Sequence, residues 1–353
     1  MTAERLFDLV IPRGFKTLTG GFIYDQRIVE QLRDAGWRID VHELDPQFPH
    51  PSAAALRRAA AVLSGIPDGR QVVIDGLALG GMPGIVEQES TRLRLIALIH
   101  HPLALETGLA QEVAAALYTA ERRALSAVDG IIVTSRTTAR ALSDYDVPAG
   151  LVMVVPPGTD MAPLAEGSGR GTFELACVGT LTPRKGHAVL LEALAGLLDR
   201  DWHLCCVGSA DRDSRTAAAV RKQIAKSGLT DRVTLRGELA GDALDAVYAG
   251  ADAFVLASYY EGYGMVFAEA LARGLPIVAT AGGAVAETVP ASAGLLVKPG
   301  DSTGLRMALA RLLDEPGLRG RLRAGARKAR NNLPTWRETG HRFALALARS
   351  SAG

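Results

Sequence analysis

The stretch of this 353-residue chain richest in chemistry is Ser258 to Thr280, which sets Glu261 and Glu269 eight positions apart and places Gly262, Tyr263 and Gly264 just after the first of them. The apolar run from Ala253 to Ala257 reads as a buried parallel strand, and Met265 to Ala272 reads as a helix closed by Gly274 and Pro276. Gly262 and Gly264 remove side chains where that helix begins, so free backbone N–H groups and the positive helix end face whatever binds there. Glu261 stands just before the helix and Glu269 points from its second turn. Both carboxylates then lie in the crevice at the carboxyl end of a strand, where open α/β sheets bind ligands. Spacing alone favours a plainer account, a capping glutamate and one on a solvated face.

A second constellation is Val178 to His187, with Gly179, Thr180, Arg184, Lys185 and Gly186 between a strand and a helix. Cations and backbone donors at such a turn are what a nucleotide diphosphate requires. Near the N-terminus Thr19-Gly20-Gly21-Phe22 follows the first strand and opens a helix, with Arg13 and Lys16 in the same loop. Ile99-His100-His101-Pro102 ends a buried strand; a lone histidine there is more often structural than catalytic. Asp211 and Asp213 lead into a helix, where acids favour the positive end, so they are read as no metal site. No zinc ligand set, Walker loop or Gly-x-Ser-x-Gly elbow occurs.

The elements that position these groups alternate in type. Candidate strands are Leu6 to Ile11, Ile39 to His42, Val72 to Asp75, Leu93 to His100, Ile131 to Ser135 and Leu151 to Val155, with helices near Phe22 to Ala35, Ala53 to Leu63, Glu106 to Ala127 and Thr137 to Tyr145. The Gly-rich segment Asp75 to Gly84 reads as a turn. Residues 156–172 are rich in Pro, Gly and Ser and read as a linker. A second series starts at Phe173 to Val178 and continues through His203 to Val207, Val233 to Leu235, Ala253 to Leu256, Pro276 to Ala279 and Leu295 to Val297, with helices that include Ala188 to Leu198 and Arg215 to Lys226. Alternation of this kind makes right-handed crossovers and parallel sheets. The expected organisation is an α/β chain of two doubly wound domains, 1–157 and 158–333, followed by a helical pattern in 334–353 that begins at Thr335-Trp336.

At 48% hydrophobic and 22% charged residues, with a formal net charge of +1, the chain can bury two cores and carries no excess charge that calls for nucleic acid. Cys177, Cys205 and Cys206 lack metal or disulfide-framework spacing and read as core residues in a reducing compartment. The N-terminus has no signal-peptide pattern and no apolar run spans a bilayer, so a cytoplasmic protein is expected. Arg57 and Arg58 on the second helix offer a face for peripheral membrane contact, but a solvated face accounts for them better.

The Glu, seven residues, Glu pattern, with Glu-Gly-Tyr-Gly at its head and Ala-Arg-Gly-Leu-Pro-Ile-Val-Ala at its tail, resembles the signature of the family 4 retaining glycosyltransferases. The resemblance implies a GT-B fold, two Rossmann-like domains facing a central cleft, and transfer of a hexose from a nucleotide-diphosphate donor, UDP before GDP, without a metal. It also implies that the final helix in 334–353 crosses back to the first domain with Trp336 as its anchor, the alternative being a plain C-terminal core helix. Glu261 and His100 would position the sugar and Glu269 would hold the ribose. Lys185 matches the family's lysine and would neutralise the leaving diphosphate. The family's arginine is absent, since Thr180 stands in its place, and Arg184 is the substitute at hand. Gly20, Gly21, Gly179, Gly262, Tyr263 and Gly264 would line the donor site, the segment with Glu238 would face the base, and His101, Arg13, Lys16 and Glu287 are further candidates. His101 stands where the family often has an acid. Gly282-Gly283 and Lys298 to Asp301 match the family's pattern as fold, not chemistry. The acceptor, whether a glycan, a lipid or a small metabolite, is not readable. The alternatives are a sugar-nucleotide epimerase or a non-catalytic nucleotide-sugar-binding protein.

Overall fold

The central strands are apolar runs buried on both faces. The third, Gln71–Asp75, is buried at every position, as a central strand covered by helices on two sides requires. The computed structural model describes residues 5–14, 19–169 and 171–350. By contacts the chain divides into two units, residues 1–158 with 334–353, and 159–333.

In the first unit the order is β1 (Leu6–Pro12), α1 (Gly20–Asp34), β2 (Arg38–Leu44), α2 (Ala53–Ser64), β3 (Gln71–Asp75), α3 (Gly76–Gly81) and α4 (Pro83–Glu89). Then come β4 (Arg94–Ile99), α5 (Gln111–Leu125), β5 (Gly130–Val133), α6 (Arg136–Ala141) and β6 (Val152–Val154). Among the described residues the strands form one parallel sheet in the order β2-β1-β3-β4-β5-β6. From β1 the chain runs outward to β2 and then returns to the other side of β1 as β3. The strand order therefore reverses between β1 and β3, and in doubly wound sheets that switch point opens the ligand crevice.

The second unit repeats the plan with β7 (Phe173–Val178), α7 (His187–Ala195), β8 (Trp202–Val207), α8 (Ser214–Lys226), β9 (Val233–Leu235), α9 (Asp242–Ala249) and β10 (Ala253–Leu256). It ends with α10 (Met265–Ala272), β11 (Ile277–Thr280), α11 (Val285–Thr288), β12 (Gly294–Val297), α12 (Ser302–Asp314) and α13 (Pro316–Arg330). The sheet order is β12-β11-β10-β7-β8-β9, so its switch point lies between β7 and β10. Its core includes Trp202, Phe254 and Phe267, each at most 1% exposed. Burying a side chain of that class contributes roughly 1.5–3 kcal/mol.

Three expectations are corrected. The segment Asp75 to Gly84 is not a turn: Gly76–Gly81 is helical, its first turn capped by the Asp75 carboxylate, which accepts from Leu77 N at 2.9 Å. The glycine content reflects close packing, since a Cβ on Gly80 would stand 2.5 Å from Leu103 Cδ1. The helix expected from Glu106 begins only at Gln111, because Gly108 takes a left-handed φ of 88° in the preceding loop. The helix expected from Thr137 to Tyr145 stops at Ala141 and tightens into a 3₁₀ turn, Leu142–Tyr145, which Asp146 closes with a φ of 58°.

The last helix, α14 (Trp336–Ser350), belongs to the first unit. Trp336 packs edge-on against Tyr24 with ring centroids 6.2 Å apart, and Phe343 lies 6.3 Å from Phe7. Gln71 Nε2 donates to Leu347 O at 2.9 Å, which fixes the last turns of the helix to β3. Arg58 of α2 pairs with Asp45.

Candidate active site

In the second unit the polar turn starts where the β10 apolar run stops. Ser258 is fully buried, and its hydroxyl donates to Glu261 Oε1 at 2.6 Å. Glu261 itself is 5% exposed, and Lys185 Nζ reaches the same oxygen at 2.7 Å. Arg184 approaches Glu261 Oε2 at 3.5 Å and donates to Tyr260 O at 2.9 Å. Burial works against the charged form of Glu261, yet the charges of Lys185 and Arg184 outweigh it and hold the carboxyl below its ordinary range. Two cations on one carboxylate leave a local charge of +1 at the switch point, between the ends of β7 and β10. That arrangement suits an incoming anion.

The backbone explains why Lys185 and Glu261 meet. Gly186 takes a φ of 64°, and a Cβ there would lie 2.0 Å from Ala257 O, so the turn after β7 presses directly on the end of β10. Gly264 (φ 84°) starts α10 in the left-handed region, and Gly282 and Gly283 pack against the backbone of Tyr259 and Glu261. Thr180, where the family's arginine would stand, supplies no cation, and Arg184 does.

Glu269 is partly buried on α10 and accepts from the Tyr248 hydroxyl at 2.8 Å; burial pushes its carboxyl up. Arg273 lies over the Tyr248 ring at 4.4 Å. Burial and the nearby charge of Glu287 push the Tyr263 hydroxyl to about 12. Glu287 is exposed on α11, and Glu238 is exposed just after β9. Gly179 N donates to Val207 O at 2.8 Å and continues the β7–β8 ladder beyond the strand. Asp213 caps α8 by accepting from Thr216 N at 2.8 Å.

In the first unit Gly20 and Gly21 open α1. A Cβ on Gly21 would stand 3.2 Å from His100 Cδ2, so this close approach needs a small residue. His100 Nε2 lies 3.1 Å from Asp25 Oδ1 and 3.5 Å from Asp75 Oδ2, and Tyr24 meets the ring edge-on at 5.4 Å. Burial works against the charged ring, but Asp25 and then Asp75 outweigh it and raise His100. Asp75 is raised to about 7, by burial first and by the Asp25 charge second. His101 turns instead to Glu106, with Nε2 and Oε2 3.3 Å apart. Arg13 is exposed and lines a separate cavity of about 320 Å³ with Glu43, Asp45 and Arg58. Lys16 lies outside the described residues.

Asp25, Asp75, Tyr248 and Ser258 escaped the sequence reading. Asp25 left one signal: it precedes Ile28, Val29 and Leu32, all buried, at helical spacing, so a charge sits on the apolar stripe of α1. Among the described residues Asp25, Asp75 and His100 are also the group whose ligand atoms, within 4.8 Å of one another, could surround an ion. Among the described residues no helix is long and apolar enough to cross a membrane.

The family model for glycosyl transferases group 1 matches residues 165–329, and that for glycosyltransferase family 4 matches residues 78–162. An MMP alpha-(1->4)-mannosyltransferase of Mycolicibacterium hassiacum is 31% identical over 84% of this chain and 76% of its own length. A D-inositol 3-phosphate glycosyltransferase of Salinispora tropica is 32% identical over 62% of this chain, and that match spans half of the relative's length. In structure, a sucrose-phosphate synthase from Thermosynechococcus elongatus superposes with a TM-score of 0.81 at 23% identity, covering 96% of this chain and 97% of that one. HepE of Anabaena, solved with UDP and glucose, gives a TM-score of 0.79 at 18% identity over 97% of this chain and 99% of that one. The two parallel six-stranded sheets are those of the GT-B fold. The two sequence relatives named here are transferases by name, not epimerases or binding proteins. The chain belongs to the group 1 glycosyltransferases of family 4 and is a glycosyltransferase.

Proposed function

We propose that this glycosyltransferase is a retaining hexosyltransferase that draws its sugar from a nucleotide-diphosphate donor, UDP before GDP, and needs no divalent ion. The observation that carries the reading is the cluster of partly buried Lys185 and Arg184 on the buried Glu261 at the switch point of the second sheet, with one positive charge in excess. An arriving diphosphate exchanges with Glu261 for the two cations, so the phosphate gains its counter-charge and the carboxylate is released toward the sugar. Glu269 takes the ribose hydroxyls, and His100 in the first unit contacts the hexose. Gly20, Gly21, Gly179, Gly262, Tyr263 and Gly264 line the donor site, and the backbone beside Glu238 meets the base.

The sugar–phosphate bond breaks with its electron pair leaving on the phosphate oxygen, and Lys185 and Arg184 stabilise that charge. The acceptor hydroxyl bonds to the anomeric carbon from the side the phosphate leaves, and its proton passes to the departing phosphate. No side chain need act as base. Two relatives are named for small polar compounds, D-inositol 3-phosphate and mannosylfructose phosphate, which favours a small metabolite over a glycan or a lipid as acceptor. Three free cysteines support a cytoplasmic setting.

Stereochemistry tests the mechanism. With a UDP-α-hexose and no acceptor, slow donor hydrolysis followed by proton NMR should show the α-anomer of the free sugar first, before mutarotation. A β-anomer formed first would contradict retention.

A further inference from the structure

The signature residues do not account for the buried charges around His100. Asp25 projects from the second turn of α1 with a fully buried side chain, and Asp75 ends β3 with its own side chain only 3% exposed. Both aim a carboxylate oxygen at the same ring nitrogen, Nε2 of His100, and Asp25 is the nearer at 3.1 Å. Asp75 is already engaged as the cap of α3. Asp25 Oδ2 is buried with no hydrogen-bond partner, an uncompensated polar atom whose burial a positive charge on His100 would offset. The Tyr24 ring meets the imidazole with centroids 5.4 Å apart, and the Thr134 hydroxyl donates to the His100 backbone carbonyl at 3.2 Å. Neither supplies a charge. The imidazole is the group that can.

We propose that Asp25 is a positioning residue: it commits the Nε2–H of His100 inward and favours the doubly protonated ring, so that Nδ1–H is the donor left for a ligand. This rests on the reading of His100 as a sugar contact only for the identity of that ligand. The consequence is a division of labour between the two carboxylates. Asp25 holds the nearer bond to Nε2, and Asp75, raised to about 7, takes up a proton near neutral pH. A neutral ring fixed by the same bond would offer Nδ1 as an acceptor instead. Asp25 thus sets both the direction and the sense of the hydrogen bond His100 can make.

The test is a pH titration of the ¹⁵N-histidine-labelled full chain, with the His100 resonances assigned by their loss in His100→Gln. In the native protein the expected result is a midpoint above that of an ordinary histidine and, at high pH, the tautomer with the proton on Nε2. A proton on Nδ1 at high pH would overturn the proposal with no variant needed. In Asp25→Asn, which keeps the shape and drops the charge, the midpoint should fall by about one unit or more, and Asp25→Glu should restore part of it. A folded Asp25→Asn protein with an unmoved midpoint would also overturn it. So would stoichiometric Zn²⁺ binding that abolishes the His100 titration, because the cluster would then hold a metal and not a proton. Adding UDP-hexose separates the two readings: an Nδ1 resonance that donor leaves unmoved, with the Asp25→Asn shift present, supports the role of Asp25 and contradicts His100 as a sugar contact.

Discussion

At the scale of single residues, buried charge decides most of what this chain can do. Lys185 is 13% and Glu261 7% exposed in their side chains, so the pair is effectively buried. Breaking such a pair from one side costs ~3–5 kcal/mol, and Arg184 at 3.5 Å keeps Lys185→Met near the lower end, ~3 kcal/mol. Glu261 is held below its ordinary range, so its contribution is present above the unfolded value and lost as pH falls through the folded one. Urea melts should therefore show the Lys185→Met penalty at pH 7 and a smaller one near pH 4. Glu121 runs the other way. Burial raises it to about 7 while it accepts from Leu103 N at 3.0 Å. As pH climbs from about 4 to about 7 the unfolded chain releases a proton that the folded one keeps, so this group lowers stability over that window. Glu121→Gln should remove the slope, and its melting temperature relative to the native chain should rise across the same interval. The chemistry of Glu261 and Lys185 was legible because both sit in glycine-framed turns that a linear reading can recognise. That they bind each other was not, since 76 residues separate them and only the pairing of β7 with β10 brings them together.

At the scale of elements, the turns after β7 and β10 work as one unit because Gly186 lets them touch. Gly186→Ala places a methyl group 2.0 Å from Ala257 O and forces a φ of 64° on a residue with a Cβ. Backbone strain alone costs roughly 1–3 kcal/mol, and relief by moving the turn withdraws Lys185 from Glu261. The expected result is a lower melting temperature together with at least a tenfold loss of UDP affinity. A loss of stability with unchanged affinity would show that the turn does not place Lys185. The central strands, such as β3 and β10, were read from the sequence to within a residue or two because their runs are buried on both faces and leave no ambiguity of period. The helix Gly76–Gly81 was hidden because its composition is dictated by packing against Leu103, a tertiary demand that overrides propensity. Asp25 was hidden for a related reason: its partner His100 comes from a strand 75 positions later.

At the scale of the whole molecule, two doubly wound sheets each place candidate site residues at a reversal of strand order, and the last helix returns to complete the first unit. Trp336, Phe343 and Leu347 are buried there, at 5%, 1% and 0% exposure. Losing one buried aromatic costs ~3–5 kcal/mol, a large part of a domain's usual stability. A chain truncated after Leu333 should therefore be cut rapidly by protease within residues 1–158, while 159–333 resists; equal resistance of both units would refute this. Of the side chains that seat α14 on the first unit the sequence reading named Trp336, whereas the contact of Phe343 with Phe7 follows from side-chain fit that no pattern encodes. The claim on which the functional account turns is that the Lys185, Arg184 and Glu261 cluster receives a nucleotide diphosphate. The measurement that addresses it most directly is calorimetric titration of the full chain with UDP, GDP and ADP, with Lys185→Met and Glu269→Ala alongside. The account predicts saturable binding of UDP, abolished by Lys185→Met and weakened by Glu269→Ala. Binding that survives in Lys185→Met, or no heat from any nucleotide at millimolar concentration, would contradict it.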